Sequence, residues 1–134
     1  MKRVILPIET SAKEQIIDVT QQVQAVVSKE FAGRDGFVHV YCPHTTAGVA
    51  VNEGDDPDVK RDFLLALGEV IHFEEQFHHA EGNSKAHIAS TLIGCSSWIA
   101  VEQAKLVLGH WQSIWFCEFD GPRKRTLWVN GILT

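Results

Sequence analysis

Phe37-Val38-His39-Val40-Tyr41-Cys42-Pro43-His44-Thr45-Thr46-Ala47-Gly48-Val49-Ala50-Val51-Asn52 sets the architecture of this 134-residue chain. Phe37 to Cys42 is rich in β-branched and aromatic residues, which suit a pleated, half-buried surface. Pro43 has no N–H to give to a ladder, so the chain breaks near His44. A partner strand follows from about Ala47 to Asn52. Its period of two places Thr46, Gly48, Ala50 and Asn52 on one face, and Ala47, Val49, Val51 and Glu53 on the other. At about 3.3 Å per residue, His44 and Asn52 lie up to roughly 26 Å apart in extended chain. They share a site only through a bend or a second subunit.

Working outward, Arg3 to Glu9 reads as a strand in which Val4, Leu6 and Ile8 alternate with exposed positions. Gln15 to Val19 adds a short strand. Thr20 is a candidate cap for a helix through about Ala32, because Val23, Val26, Val27 and Phe31 recur at helical spacing, and Gly33 and Gly36 end it. Beyond the central pair, Asp56-Pro57 is a helix start, with the carboxylate as cap and proline at the first position. Val59, Phe63, Leu67 and Val70 line one face of that helix, with Leu64 and Ile71 beside them. His87 to Ile93 and Trp98 to Val101 read as strands joined by a tight turn at Gly94. Leu106 to Leu108, Ser113 to Phe119 and Arg125 to Asn130 follow. The pattern predicts an α+β fold, with about eight mostly antiparallel strands in a sheet or sandwich and two main helices. Residues 1–134 are expected to form one domain.

With 45% hydrophobic and 22% charged residues, the composition is that of an ordinary globular protein. A net charge of −5 argues against a nucleic-acid surface, which needs clustered Lys and Arg. No uncharged run approaches the roughly 20 residues that span a bilayer, so no membrane partner is expected and the cytoplasm is the expected compartment. Cys42, Cys95 and Cys117 are odd in number and lie in apolar runs, so they read as buried reduced thiols.

His78-His79-Ala80-Glu81-Gly82-Asn83-Ser84-Lys85-Ala86-His87 crowds imidazoles, a carboxylate and a carboxamide into ten residues. Imidazoles bind metals or move protons near neutral pH, and a carboxylate such as Glu81 orients them. The same stretch also reads as a plain polar loop, since strict zinc spacing is absent. His44, His79 and His87 are candidates for a three-imidazole site for a divalent metal, zinc or magnesium, with one position open. Glu53 would be a general base or a partner of the ligands, with Asn52, Thr45 and Thr46 donating to an oxyanion. Arg123 could hold phosphate through two donors, or form a surface ion pair with Glu118 or Asp120. Trp111 reads more readily as core than as a stacking platform, and Gln112 as a satisfied buried amide. Asp55, Asp56 and Asp58 are explained by the positive end of the following helix.

Cys42-Pro43-His44-Thr45-Thr46-Ala47-Gly48, Asn52-Glu53 to Asp58, Glu81-Gly82-Asn83 to His87, and Leu108-Gly109-His110-Trp111-Gln112 to Glu118-Phe119-Asp120-Gly121-Pro122-Arg123 together resemble the YjbQ-like family, also called secondary thiamine-phosphate synthase. The resemblance spans nearly the whole chain. It implies a compact α+β fold, a homotrimer, and a weak activity joining a pyrimidine diphosphate to a thiazole phosphate. The motif residues it carries over are His44, Thr45, Thr46, Asn52, Glu53, His79, Glu81, Asn83, His87, Trp111, Gln112, Glu118 and Arg123. Two positions depart from the pattern: His110 stands where a small or hydroxyl residue is usual, and Cys95 where proline is common. His78 beside His79 leaves open which is the family histidine. The function expected is a low-activity thiamine-phosphate synthase-like enzyme, with His44, Asn52, Glu53 and His87 catalytic. Thr45, Thr46, Asn83, Gln112 and Arg123 would bind a small phosphorylated molecule. A metal-dependent hydrolase and a non-catalytic trimeric binder of a small anion or metabolite are the alternatives.

Overall fold

The structure, a computed structural model, describes residues 1–72 and 76–134. Its strands are β1 (Lys2–Glu9), β2 (Gln15–Asp18), β3 (Gly36–Tyr41), β4 (Ala47–Glu53), β5 (Ser96–Glu102), β6 (Lys105–Leu106), β7 (Gln112–Glu118) and β8 (Lys124–Leu133). The helices are α1 (Thr20–Glu30), α2 (Pro57–Val70) and α3 (Ser84–Ile93). The strands form two sheets, ordered β1-β8-β3-β5-β6 and β2-β7-β4, in which all neighbours are antiparallel. The fold is α+β, as the runs of strands predict.

Alternation decides how the sheets stack. Val4, Leu6 and Ile8 of β1, Val38 and Val40 of β3, and Leu127 and Val129 of β8 face Val49 of β4 and Ile114 and Phe116 of β7 across one core. The apolar stripe of α1, Val23, Val26, Val27 and Phe31, enters the same core. The other face of the small sheet carries Ala50, Trp115 and Cys117, which pack with Phe63, Leu64 and Leu67 of α2 and Ala86 and Ala89 of α3. Strand β7 is therefore buried on both faces, and its run Ser113 to Phe119 is apolar almost throughout.

Several local expectations are corrected. His87 to Ile93 is not a strand: it is the body of α3. Ala86, Ala89, Ser90 and Ile93 repeat at helical spacing, and that stripe faces the small sheet. The Ser90 hydroxyl donates to the Ala47 carbonyl at 2.6 Å, fastening α3 to β4. Gly94, with φ +97°, ends the helix and donates its N–H to the Ser90 carbonyl, so it is a helix stop and not a hairpin turn. The helices thus number three among the described residues.

Thr20 begins α1, and Val19 stands at the cap position. The Asp18 carboxylate accepts the Thr20 N–H at 2.9 Å, while the Thr20 hydroxyl accepts the N–H of Ile114. Asp56 caps α2 as expected, accepting the Asp58 N–H at 2.9 Å. Val70 falls off the apolar stripe of α2 and is 64% exposed. Cys42 and Cys117 are buried free thiols, whereas Cys95, on the turn out of α3, is exposed.

Candidate functional site

Four separate pieces of chain close around a cleft of about 240 Å³. The β1–β2 turn supplies Lys13 and Glu14, α2 supplies Leu67 and Gly68, the start of α3 supplies Asn83 to Ala86 with Ala89, and the segment after β7 supplies Phe119 and Asp120. Phe77 and His79 complete the rim. Its lining mixes apolar side chains with charged ones. Asn83 precedes α3 with no side-chain cap bond, so the first turn of that helix meets the cleft without a capping oxygen.

The charged end is held by a chain of hydrogen bonds. Asn83 Nδ2 donates to Asp120 Oδ2 at 2.9 Å, and Arg123 Nη2 donates to the same oxygen at 2.9 Å. Asn83 Oδ1 is a buried acceptor with no partner among the described residues. The hydrogen bond from Asn83 holds the Asp120 carboxyl below the usual range; burial opposes it, and Arg123 and Lys13 add to the lowering. Behind it, the Asp120 N–H donates to Glu118 Oε1 at 3.0 Å. Glu118 is fully buried and receives Arg125 Nε at 2.8 Å and the Thr10 hydroxyl at 2.8 Å. Burial pushes the Glu118 carboxyl up, but bonds from Arg125, the Asp120 N–H and Thr10 together outweigh it and leave it below the usual range.

The expected site residues separate into three groups. His79 and Asn83 line the cleft, and His87 lies beside it on a shallow depression shared with His78, His79 and Ser84. The His79 and His87 rings meet edge to face with centroids 5.1 Å apart. His44 and Thr46 belong to the support behind the cleft. The Thr126 N–H donates to His44 Nε2 at 3.0 Å, and the Thr46 hydroxyl accepts from Arg125 at 2.8 Å. Thr45 is exposed between them. Arg123 is engaged with Asp120, which is the ion-pair reading of its role.

Asn52, Glu53 and Gln112 form the third group, at the far end of β4 and β7. β4 runs unbroken from Ala47 to Glu53, as the extended spacing predicts. Glu53 Oε2 accepts the N–H groups of Asp55 at 2.7 Å and Asp56 at 2.8 Å, shaping the turn into α2. Asn52 Oδ1 accepts the Glu53 N–H, and Gln112 Oε1 accepts the Gly109 N–H at 2.7 Å. None of the three lines the cleft. Trp111 is 55% exposed and Gln112 is exposed as well, so the assignment of both to the interior is corrected. Nor do His44, His79 and His87 converge: among the described residues no three His, Cys, Asp or Glu side chains come together as metal ligands. His79 and His87 are the pair that could share a metal, and the rest of its shell would have to come from elsewhere.

Lys13, Glu14 and Lys85 are charged cleft residues to which the sequence assigns no role, and Asp120 enters only as a partner for Arg123. Asp120-Gly121-Pro122 carries a turn signal that hides the carboxylate, and Lys13-Glu14 reads as ordinary surface charge.

The family model described as UPF0047 protein YjbQ-like matches residues 5–133. This chain belongs to that family. It is 46% identical over 126 residues to UPF0047 protein YugU of Bacillus subtilis, covering 93% of this chain and 95% of that one. It is 35% identical over 103 residues to UPF0047 protein YjbQ of Salmonella typhimurium. A crystal structure of an uncharacterized YjbQ/UPF0047 protein from Clostridium acetobutylicum superposes with a TM-score of 0.90 at 44% identity, over 98% of this chain and 99% of that one. A hypothetical protein from Aeropyrum pernix also gives 0.90, at 36% identity. These relatives correct the functional expectation: their names state a family and no activity, and neither a thiamine-phosphate synthase nor a hydrolase is among them. No helix of the described residues is long and apolar enough to cross a membrane.

Proposed function

We propose that the cleft between α2, α3 and Asp120 binds a small phosphorylated molecule with an apolar body. The observation that carries this reading is the distribution of charge around the cleft. In a chain of net charge −5, Lys13 and Lys85 line the cleft beside Glu14 and Asp120, with Lys85 Nζ 3.6 Å from Glu14 Oε1, and Arg123, outside the lining, adds a third cation paired with Asp120. The first turn of α3 adds backbone N–H groups and the positive end of its dipole, a setting that favours phosphate oxygens. Leu67, Phe77 and Phe119 give the remainder of the guest an apolar wall. His79 at the rim has a ring N–H to donate to a phosphate.

Calorimetric titration with propyl phosphate tests this. The expected result is saturable binding, weakened on the order of tenfold in a Lys13→Ala, Lys85→Ala double variant. Equal affinity in the two proteins, or no binding to either, sinks the reading. We also propose assembly of three copies, supported by the open outer face of the large sheet, where Ile5, Phe37, Trp98 and Ile132 are all about half exposed. Placement in the cytoplasm is supported by three cysteines that form no disulfide.

A further inference from the structure

We infer that Asp120 is a specificity residue for a hydroxyl group on the guest, so that the cleft favours hydroxyalkyl phosphates over the same molecules without the hydroxyl. The inference rests on the cleft being a phosphate-binding site, and it adds what group the guest carries besides its phosphate. Both donors that reach Asp120, Asn83 Nδ2 and Arg123 Nη2, go to Oδ2. Its second oxygen, Oδ1, receives no side-chain or backbone donor among the described residues. Asp120 lines the cleft and keeps 18% of its side chain exposed, so this is the oxygen left to a guest.

Ionisation makes that oxygen an obligatory acceptor. The Asn83 hydrogen bond, with Arg123 and Lys13, keeps the carboxyl in its charged form, and a carboxylate has no proton to give. The carboxylate also determines the Asn83 amide: Nδ2 must face Asp120, because Oδ1 facing a carboxylate would set acceptor against acceptor. The geometry around the carboxylate is rigid, since its own N–H is bonded to the buried Glu118 and Arg123 Nε bonds the Asp120 carbonyl at 2.7 Å. A guest therefore meets a fixed acceptor and must bring a donor to it.

Charge selects among donors. Arg123 and Lys13 already act on Asp120, so an ammonium group placed there would meet two cations beside the carboxylate it pairs with. A neutral hydroxyl gains the charge-assisted hydrogen bond without their repulsion. With the phosphate at the start of α3, the class is a short hydroxyalkyl phosphate.

Three matched probes test this on the wild-type protein: propyl phosphate, 3-hydroxypropyl phosphate and 3-aminopropyl phosphate, each titrated by calorimetry. The hydroxyl compound is expected to bind on the order of tenfold tighter than propyl phosphate, the usual scale for a hydrogen bond to a charged group. The amino compound is expected to bind more weakly than the hydroxyl compound. In Asp120→Ala the ratio of 3-hydroxypropyl to propyl phosphate affinity should fall toward one. Equal binding of propyl and hydroxypropyl phosphate to wild type overturns the role of Asp120 and leaves the phosphate site standing. Tightest binding of the amino compound overturns the choice of hydroxyl. No binding of any probe removes the phosphate site itself, and this inference with it. The wild-type comparison decides the matter even if Asp120→Ala does not fold.

Discussion

Arg125 and Glu118 form an ion pair in the interior, with Arg125 Nε donating to Glu118 Oε2 at 2.8 Å and side-chain exposures of 5% and 0%. Glu118 leaves β7 and Arg125 enters β8, so the pair ties the second sheet to the first. Breaking a buried pair by removing one partner leaves an uncompensated charge. Glu118→Ala should therefore lower unfolding free energy by about 3–5 kcal/mol. A Glu118→Leu, Arg125→Met double variant should lose much less, because it buries no unpaired charge. Urea denaturation of the three proteins checks this; equal losses in the single and double variants would contradict it.

The same pair gives the stability a pH dependence with a definite sign. The folded Glu118 carboxyl lies below its ordinary value of 4.5, so its contribution is complete above that pH. The contribution falls as pH drops below 4.5 through the folded value. His44 acts in the same sense at higher pH. Burial first, then the charge of Arg125, lowers its pKa from the ordinary 6.5, against an opposing hydrogen bond with the Thr126 backbone. Unfolded chains gain a proton at His44 near pH 6.5 before folded ones do, so stability is full above 6.5 and declines below it. Denaturation midpoints measured from pH 7.5 to 5.5 should fall in wild type, and the fall should be shallower in His44→Gln. A parallel fall in both proteins would remove His44 as the cause.

Thiol chemistry should single out Cys95. Burial raises the Cys42 thiol to about 11 and the Cys117 thiol to about 12, so neither is appreciably thiolate at neutral pH. Cys95 is exposed. Reaction of native protein with an aromatic disulfide reagent at pH 8 should release one equivalent of thiolate quickly and three after denaturation. Cys95→Ser should abolish the fast equivalent. Rapid release of two or three from the folded protein would contradict the burial of the other thiols.

Assembly is testable without a ligand. His39 stacks against Trp98 with ring centroids 4.7 Å apart, Tyr41 meets Trp128 at 5.5 Å, and Arg3 lies 4.4 Å from the Trp128 ring centre, all on the open face of the large sheet. Light scattering should give three times the chain mass at micromolar concentration. Trp98→Asp should shift that mass toward one chain with little change in circular dichroism. A wild-type monomer would defeat the trimer.

Much of the fold was legible because its signals are local. The alternation of Val4, Leu6 and Ile8, the stripe of α1 and the Asp56-Pro57 start of α2 each lie within a few residues, and each was realised. The separation of His44 from Asn52 followed from the rise of extended chain. The segment Ser84 to Ile93 was not legible. Ile88, Thr91 and Ile93 suit a strand, ten residues is short for an autonomous helix, and Ala86, Ala89 and Ser90 become a buried stripe only when the outer face of the small sheet is present to receive them. The cleft is similarly non-local. Lys13, Lys85 and Asp120 stand more than thirty positions apart in pairwise order, and one sequence cannot say that a turn after β1, a helix start and the end of β7 meet. Composition and periodicity determined the antiparallel strand runs outside His87 to Ile93 and which of their faces are apolar. Tertiary packing decided α3, the partner of Arg123 and the contents of the cleft, because those depend on energies gained only when distant segments are brought together and their charges leave water in company.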